Sequence, residues 1–396
     1  MPATLKQAIG NASAVLYVAF ELGWNEWKLG FSTGLAQPAR ERTIAARNLT
    51  ALEQEITKAM QRFGLAAQTP VVSCYEAGRD GFWLHRYLVQ RGIDNQVVDS
   101  SSIEVNRRKR RAKTDRLDVG KLVTMLMRFH NGEPKVWSVV RVPSVADEDR
   151  RQLHRDMLEM KAERTQHSNR IKGLLASLGL QTEVTADFLQ KLQALRTWDD
   201  QAVPAGMQQR LLREFARWQF VDRQIRDAEN ERARKIRTAT EPGVDKVRQL
   251  LNLRGIGANS AWLYVMEFFG WRQIKNRRQL ASLAGLTPTP FESGESRREQ
   301  GISKAGNRRL RTMAVEIAWC WLQYQPGSAL SQWYQARFGK GNSRLRRIGI
   351  VALARKLLVA LWRYLETGAV PAGAETIAWQ VKMSGQKRVP AEAVGA

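Results

Sequence analysis

The chain has 396 residues, with 63 Lys plus Arg against 38 Asp plus Glu, a net charge of +25 and 43% apolar residues. That length supports two or three domains with their own cores and excludes a small stapled module. The charge points to a polyanionic partner, while two cysteines, Cys74 and Cys320, exclude a disulfide framework or a cysteine zinc site and suit a reducing cytoplasm.

In chain order, Val15 to Phe20 and Trp27 to Ser32 predict a strand hairpin around a turn at Gly23 to Glu26. Arg42 to Phe63 reads as a helix, Pro70 to Tyr75 as a buried strand, Gly81 to Arg91 as a short helix and Gln96 to Asp99 as a further strand. With a helix over Asp118 to Phe129, this α/β layer forms a first domain, residues 1–135. Over 145–240 the seam Leu153, Met157, Met160, Arg164, His167, Ile171, Leu174, Leu178 steps by alternating fours and threes. Leu211 to Ile236 repeats it, which predicts a coiled-coil-like helical hairpin with polar interruptions at Arg164 and His167. A mainly helical domain follows over 245–366, and the Ala-, Gly- and Pro-rich tail, 367–396, reads as disordered. The N-terminus lacks a secretory pattern, and the apolar stretch Ile348 to Trp362 is interrupted by Arg355 and Lys356, so neither export nor a membrane span is expected.

The excess charge is concentrated: residues 101–130 carry +6 and 251–366 carry +13 of the +25. Solubility spreads charge, whereas a nucleic-acid footprint gathers it. Four acids follow or open regular elements in the first domain. Glu21 and Glu76 stand after strands, and Asp115 and Asp118, three apart, open a helix. Several carboxylates can hold the hard divalent cations that assist phosphodiester cleavage. Each acid alone also suits a turn or a helix cap. Beside them runs a phosphate-binding stripe, Arg107, Arg108, Lys109, Arg110, Arg111 and Lys113.

In the C-terminal part, Leu253-Arg254-Gly255-Ile256-Gly257 between helices resembles a helix-hairpin-helix, in which Gly255 and Gly257 would offer backbone N–H groups to a phosphate. A basic, loop-rich stretch carries Ser293 before a glycine, amid Arg297, Arg298, Lys304, Arg308, Arg309 and Arg311. Ser293 could attack a phosphodiester or simply serve a turn, and Ser296 and Ser303 are equally eligible by spacing.

Together these residues resemble the DEDD-type transposases of bacterial insertion sequences. The resemblance runs over residues 14–365. It rests on Ala19-Phe20-Glu21, Tyr75-Glu76-Ala77-Gly78, Lys113-Thr114-Asp115-Arg116-Leu117-Asp118, Leu253 to Gly257, Leu283-Ala284-Gly285-Leu286-Thr287-Pro288, Ser293-Gly294 and Gly301 to Asn307. It implies a RuvC/RNase H-like N-terminal domain that holds Mg²⁺ through Glu21, Glu76, Asp115 and Asp118, and a C-terminal transposase domain whose Ser293 forms a covalent phosphoserine link to DNA. It also implies a composite site in a homo-oligomer, dimer or tetramer, a structured noncoding guide RNA that selects donor and target DNA, and a bacterial cytoplasmic, nucleoid-associated location. Most members carry Asp where this chain has Glu21. Two rival readings are a RuvC-like junction nuclease using metal-bound water, which needs no serine, and a domesticated transposase that binds nucleic acid without catalysis.

Overall fold

The computed structural model describes residues 14–35, 37–103, 115–293 and 296–384, with backbone alone at 101, 115–118, 291–293 and 296–300. The chain divides into two compact units, Met1–Val142 and Pro143–Ala396.

The first unit is a mixed sheet of five strands: β1 (Leu16–Leu22), β2 (Glu26–Ser32), β3 (Arg40–Ala45), β4 (Val71–Glu76) and β5 (Asp94–Val98). Their spatial order is β3-β2-β1-β4-β5. β1, β2 and β3 pair antiparallel, while β4 and β5 join β1 in parallel. The strand hairpin expected at the start is present. The single helix expected over Arg42 to Phe63 is not: residues 40–45 are β3, and the helix α1 begins only at Leu49 and ends at Arg62. The break is local chemistry. Arg47 adopts φ 67°, which no helix tolerates, and the Asn48 side chain caps α1 by accepting from the Ala51 N–H. Before it, Ile44 packs into the core at a strand alternation that a helical reading of the window overlooks.

Each face of the sheet has its own core. Leu16, Val18, Phe20 and Tyr75 pack with Leu52 and Ile56 of α1 and with Leu84 and Leu88 of α2 (Trp83–Gln90). Tyr17, Ala19, Val72 and Cys74 face the other way, onto Leu122, Val123, Met125 and Leu126 of α3 (Asp115–His130). This period-two alternation decides on which face each strand-end acid lies.

The second unit opens with two long helices, α4 (Val145–Ala176) and α6 (Ala205–Thr238), with the short α5 (Phe188–Ala194) in the connection. They run antiparallel, because Lys161 bonds Glu229, Arg164 bonds Asp222 and His167 bonds Glu214, so rising numbers on one helix meet falling numbers on the other. The seam is thus apolar at Met157 and Ile171, and it is bridged across the helices by an ion pair at Arg164 and a hydrogen bond at His167.

The remainder of the unit comprises α7 (Val244–Leu251), α8 (Ala258–Tyr264), a turn of π-helix (Val265–Phe269), α9 (Arg277–Leu283), α10 (Arg308–Tyr324), α11 (Ala329–Phe338), α12 (Ser343–Thr367) and α13 (Trp379–Ser384). These surround one large core containing Trp262, Tyr264, Phe268, Leu310, Trp321 and Leu361. The helical hairpin and the C-terminal helices belong to the same compact unit. Among the described residues no helix is long and apolar enough to cross a membrane.

The tail also departs from expectation. Through Ser384 it is ordered, not disordered: Thr376 bridges to Leu253, the Arg254 N–H donates to the Glu375 carbonyl, and Met383 is buried in the core. Lys382 donates to the carbonyls of Leu251, Leu253 and Ile256 at 2.5, 2.6 and 3.2 Å. The lack of periodicity hid this, because the segment is held by backbone pairing, by Met383 in the core and by one cation on carbonyls at and just after the end of α7.

Candidate active site

β1 and β4 are parallel neighbours with Phe20 opposite Tyr75, so the next residues, Glu21 and Glu76, end their strands side by side. Glu21 follows Tyr17 and Ala19, and Glu76 follows Val72 and Cys74, on the face covered by α3. At this point the sheet order reverses, with β2 leaving one side of β1 and β4 standing on the other. Open sheets place ligands outside the carboxyl ends of strands at such a switch point.

The direction of α3 is fixed by three contacts. Gly30, paired with Ala19, lies so close under the helix that a Cβ there would stand 2.7 Å from a Val119 methyl and 2.9 Å from one of Val123. The Cys74 thiol is 3.9 Å from the Leu122 carbonyl, and the Tyr17 hydroxyl 3.0 Å from Nδ1 of His130. The helix therefore runs antiparallel to β1, and its first turn extends beyond Ala19 toward the end that carries Glu21. Asp115 lies four helical residues before Val119, about 6 Å, and Glu21 lies two strand residues beyond Ala19, also about 6 to 7 Å. The backbone thus carries Asp115 and Asp118 to the sheet end where Glu21 and Glu76 stand. Glu76 is exposed and Glu21 half-buried. Among the described side chains, which leave out those of Asp115 and Asp118, no group of three or more His, Cys, Asp or Glu forms a metal site. Arg107, Arg108, Lys109, Arg110, Arg111 and Lys113 lie outside the described residues.

Three features here escaped the sequence reading. Asp99 follows β5 just past the pair Glu76 and Val98, at the same sheet end, and the rule that selected Glu21 and Glu76 could have found it. Gly30 allows the close seating of α3, a role without a local signal. Trp24 stands exposed in the turn after β1 with Arg47 and Arg79 against its ring. Cys74 is no nucleophile, since burial pushes its thiol far up.

In the second unit the stretch read as loop is a β-hairpin, β6 (Pro288–Ser293) and β7 (Ser296–Ile302). Pro288 and Pro290 disguise it, although proline is tolerated on an edge strand, and a register irregularity falls between them. Ser293 pairs with Ser296 at the tip, and Arg297 and Arg298 follow on β7, opposite Glu292 and Phe291. Lys304, Arg308, Arg309 and Arg311 lie beyond the base of the hairpin. Five strand steps, about 17 Å, separate Pro288 from Ser293, so these four lie toward the opposite end of the hairpin from the serine. The base is rigid. Gly285 (φ 66°) and Gly306 (φ 111°) interlock: a Cβ on either would come within 2.3 Å of a carbonyl, that of Ala305 or Leu283. Asn307 donates its N–H to Leu283 and caps α10 at Leu310, while Ser303 donates to Thr287. The segments 283–287 and 301–307, which the sequence singled out separately, are one structural joint.

The turn at Gly255 is engaged internally. The N–H groups of Arg254, Ile256 and Gly257 donate to Glu375, Leu253 and Ser260, and Ala258 and Ser260 are buried. Gly255 and Gly257 therefore take part in the joint between the core and the tail.

A mixed sheet with acids gathered at its switch point, joined in one chain to a strongly basic helical unit, defines a protein that works on nucleic-acid strands. The chain belongs to the IS116/IS110/IS902 family of transposases, whose family model matches residues 247–335. It is 39% identical over 372 residues, 91% of this chain and 94% of the relative, to a Sinorhizobium fredii protein named "Putative transposase y4rJ". It is 24% identical over 221 residues to a Yersinia enterocolitica "Transposase for insertion sequence element IS1328", covering 55% of this chain and 63% of that protein. The protein is a DNA transposase.

Proposed function

We propose that this transposase cleaves and rejoins DNA with two sets of groups: an acidic, RuvC/RNase H-like site of Glu21, Glu76, Asp115 and Asp118, and a nucleophilic Ser293. The observation that carries the reading is the parallel register of β1 and β4 together with the antiparallel run of α3, which support convergence of all four acids at one sheet end. An all-oxygen donor set on adjacent strand ends suits Mg²⁺. Such an ion, when bound, supplies Lewis-acid activation of the phosphodiester.

The Ser293 hydroxyl oxygen bonds to phosphorus while a phosphorus–oxygen bond to the neighbouring nucleotide breaks, and the hydroxyl proton ends on the departing oxygen. One phosphoester replaces another, so rejoining needs no external energy source. Position at the last strand pair of the hairpin, opposite Ser296 and with Arg297 and Arg298 following on β7, supports this role over that of Ser303 at the hairpin base. The protein acts as a homo-oligomer with a structured noncoding guide RNA that selects donor and target, and the concentrated basic windows supply phosphate contacts for both nucleic acids.

The test is incubation with supercoiled DNA carrying the element's ends, followed by denaturing electrophoresis. Wild type is expected to leave protein covalently attached to a strand end. Ser293→Ala should abolish the adduct, and Asp115→Ala or Asp118→Ala should abolish cleavage while DNA binding persists. Cleavage without any adduct would replace the serine with water and favour the junction-nuclease reading. RNA sequencing of the purified protein should recover one structured transcript from the element.

A further inference from the structure

Three loops meet at the acidic end of the sheet: those after β1, β3 and β4. They bring together Trp24, Arg47, Arg79 and Asp80. Trp24 is 63% exposed, yet it is held firmly. The guanidinium carbons of Arg47 and Arg79 each lie 4.8 Å from its ring centroid. Arg47 donates to the Trp24 carbonyl at 3.2 Å, and both arginines bond the Asp80 carboxylate, at 3.3 and 3.1 Å. Asp80 is the anchor, its side chain only 8% exposed. Arg47 holds its place at φ 67°, in the left-handed region, within the tight turn between β3 and α1.

An indole left mostly in water is not core, and two guanidinium groups fixed against it by one shielded carboxylate leave a preformed surface open to a ligand. The ligand must be planar and anionic. Planar guanidinium and indole groups, ordered in advance, extend naturally by stacking a nucleobase, and the surplus cation meets its phosphate.

We infer that Trp24, Arg47 and Arg79 form a stacking platform for unpaired nucleotides of the strand that passes the acidic sheet end. The inference rests on the reading of that end as the cleavage site, since a duplex has no free base face to offer and a strand opened for cleavage does. Phosphates passing beside carboxylates are repelled there, and the platform supplies attraction at the next loop.

The experiment uses the full-length protein without divalent cation, so that binding is read with no cleavage. A fluorescein-labelled oligothymidylate and a duplex of equal length are titrated in turn. Trp24→Ala is expected to weaken single-strand binding about tenfold, the equivalent of one stacked base, with a smaller effect on duplex. Trp24→Phe should restore most of it, and Arg79→Ala should fall between. A 5-iodouracil oligonucleotide should photo-crosslink at Trp24, as mapped by mass spectrometry. Unchanged single-strand affinity in Trp24→Ala with no crosslink at that position would overturn the platform, and so would an equal loss on duplex and single strand. Retained cleavage by Asp115→Ala would instead overturn the acidic site and leave the oligothymidylate result standing.

Discussion

In the proposed acidic site Glu21 has one methylene more than an Asp, and a longer arm would hold the same cation from a slightly retracted backbone. Glu21→Asp is therefore expected to keep cleavage within about tenfold of wild type, and Glu21→Ala to lower it about a hundredfold, the loss of several kcal/mol of charge stabilisation. Strand-nicking rates measure both, and indifference to Glu21→Ala would remove this residue from the site. Another single side chain governs acid stability. His154 is fully buried, and neither ring nitrogen has a hydrogen-bond partner. Burial first, then the charge of Arg232, push its pKa down to about 4, against a weaker upward pull from Glu267. The unfolded chain binds a proton near pH 6.5 that the folded chain refuses until about pH 4, so stability falls with pH across that window, by on the order of 3 kcal/mol. Urea midpoints measured from pH 7 to pH 4 should show the fall, and His154→Leu should flatten it. Burial raises the Glu267 carboxyl, but the Arg155 hydrogen bonds and charge outweigh it, with the charges of Arg151 and Arg309 adding, and hold it below the ordinary value. Its stabilisation is thus present above the unfolded carboxylate pKa and is lost only as pH falls through the lowered value.

At the scale of elements, the seating of α3 on the sheet decides the geometry of the acids. Gly30 permits that seating, because Val119 and Val123 occupy the space a side chain would need. Gly30→Ala should push the first turn of α3 outward and cost about 1 to 3 kcal/mol of stability through overpacking. Displacing reacting groups by a fraction of an ångström to an ångström is expected to lower cleavage up to about a hundredfold while leaving DNA affinity unchanged. Parallel nicking and electrophoretic-mobility assays separate the two effects, and a parallel loss of binding would show that the substitution had damaged more than the acids. The helical hairpin obeys a different logic. Its cross-helix pairs, His167 with Glu214 and Arg164 with Asp222, fix the register of two long helices whose apolar seam is interrupted, which agrees with the attested use of buried polar pairs to specify alignment.

Over the whole molecule, the net charge of +25 makes nucleic-acid binding a counterion-release process. The logarithm of the binding constant should fall linearly with that of salt concentration, with a slope of roughly −0.9 for each duplex phosphate neutralised. Fluorescence anisotropy at several ionic strengths measures the slope, and a value near zero would contradict the polyanion reading. Neutralising Arg107 to Arg111 together should make the slope shallower without altering sequence preference, because phosphate contacts position rather than specify. The family membership supplies the DNA partner, and the charge distribution supplies its physical basis.

Much was legible in the residues alone. Continuous apolar runs at Val15 to Phe20 and Pro70 to Tyr75 and the alternating run at Trp27 to Ser32 identified β1, β4 and β2, period-3.5 runs identified α4 and α6, and the acids at strand ends were picked out because a carboxylate after an apolar run is a local pattern. What depends on distance along the chain was not legible. The pairing of β1 with β4 brings Glu21 to Glu76 across more than fifty residues, and α3 returns its first turn to the same end only because Gly30 lies beneath it. The tail looked disordered because it has no periodicity, while its hold is backbone pairing, Lys382 on carbonyl oxygens and the packing of Trp379 and Met383 on a distant core. Ser293 was visible as a residue type, but its separation from Lys304 and Arg308 follows from a hairpin that two prolines disguised. Local chemistry is written in adjacent residues, whereas convergence is set by strand register and helix direction, which exist only once the chain has packed.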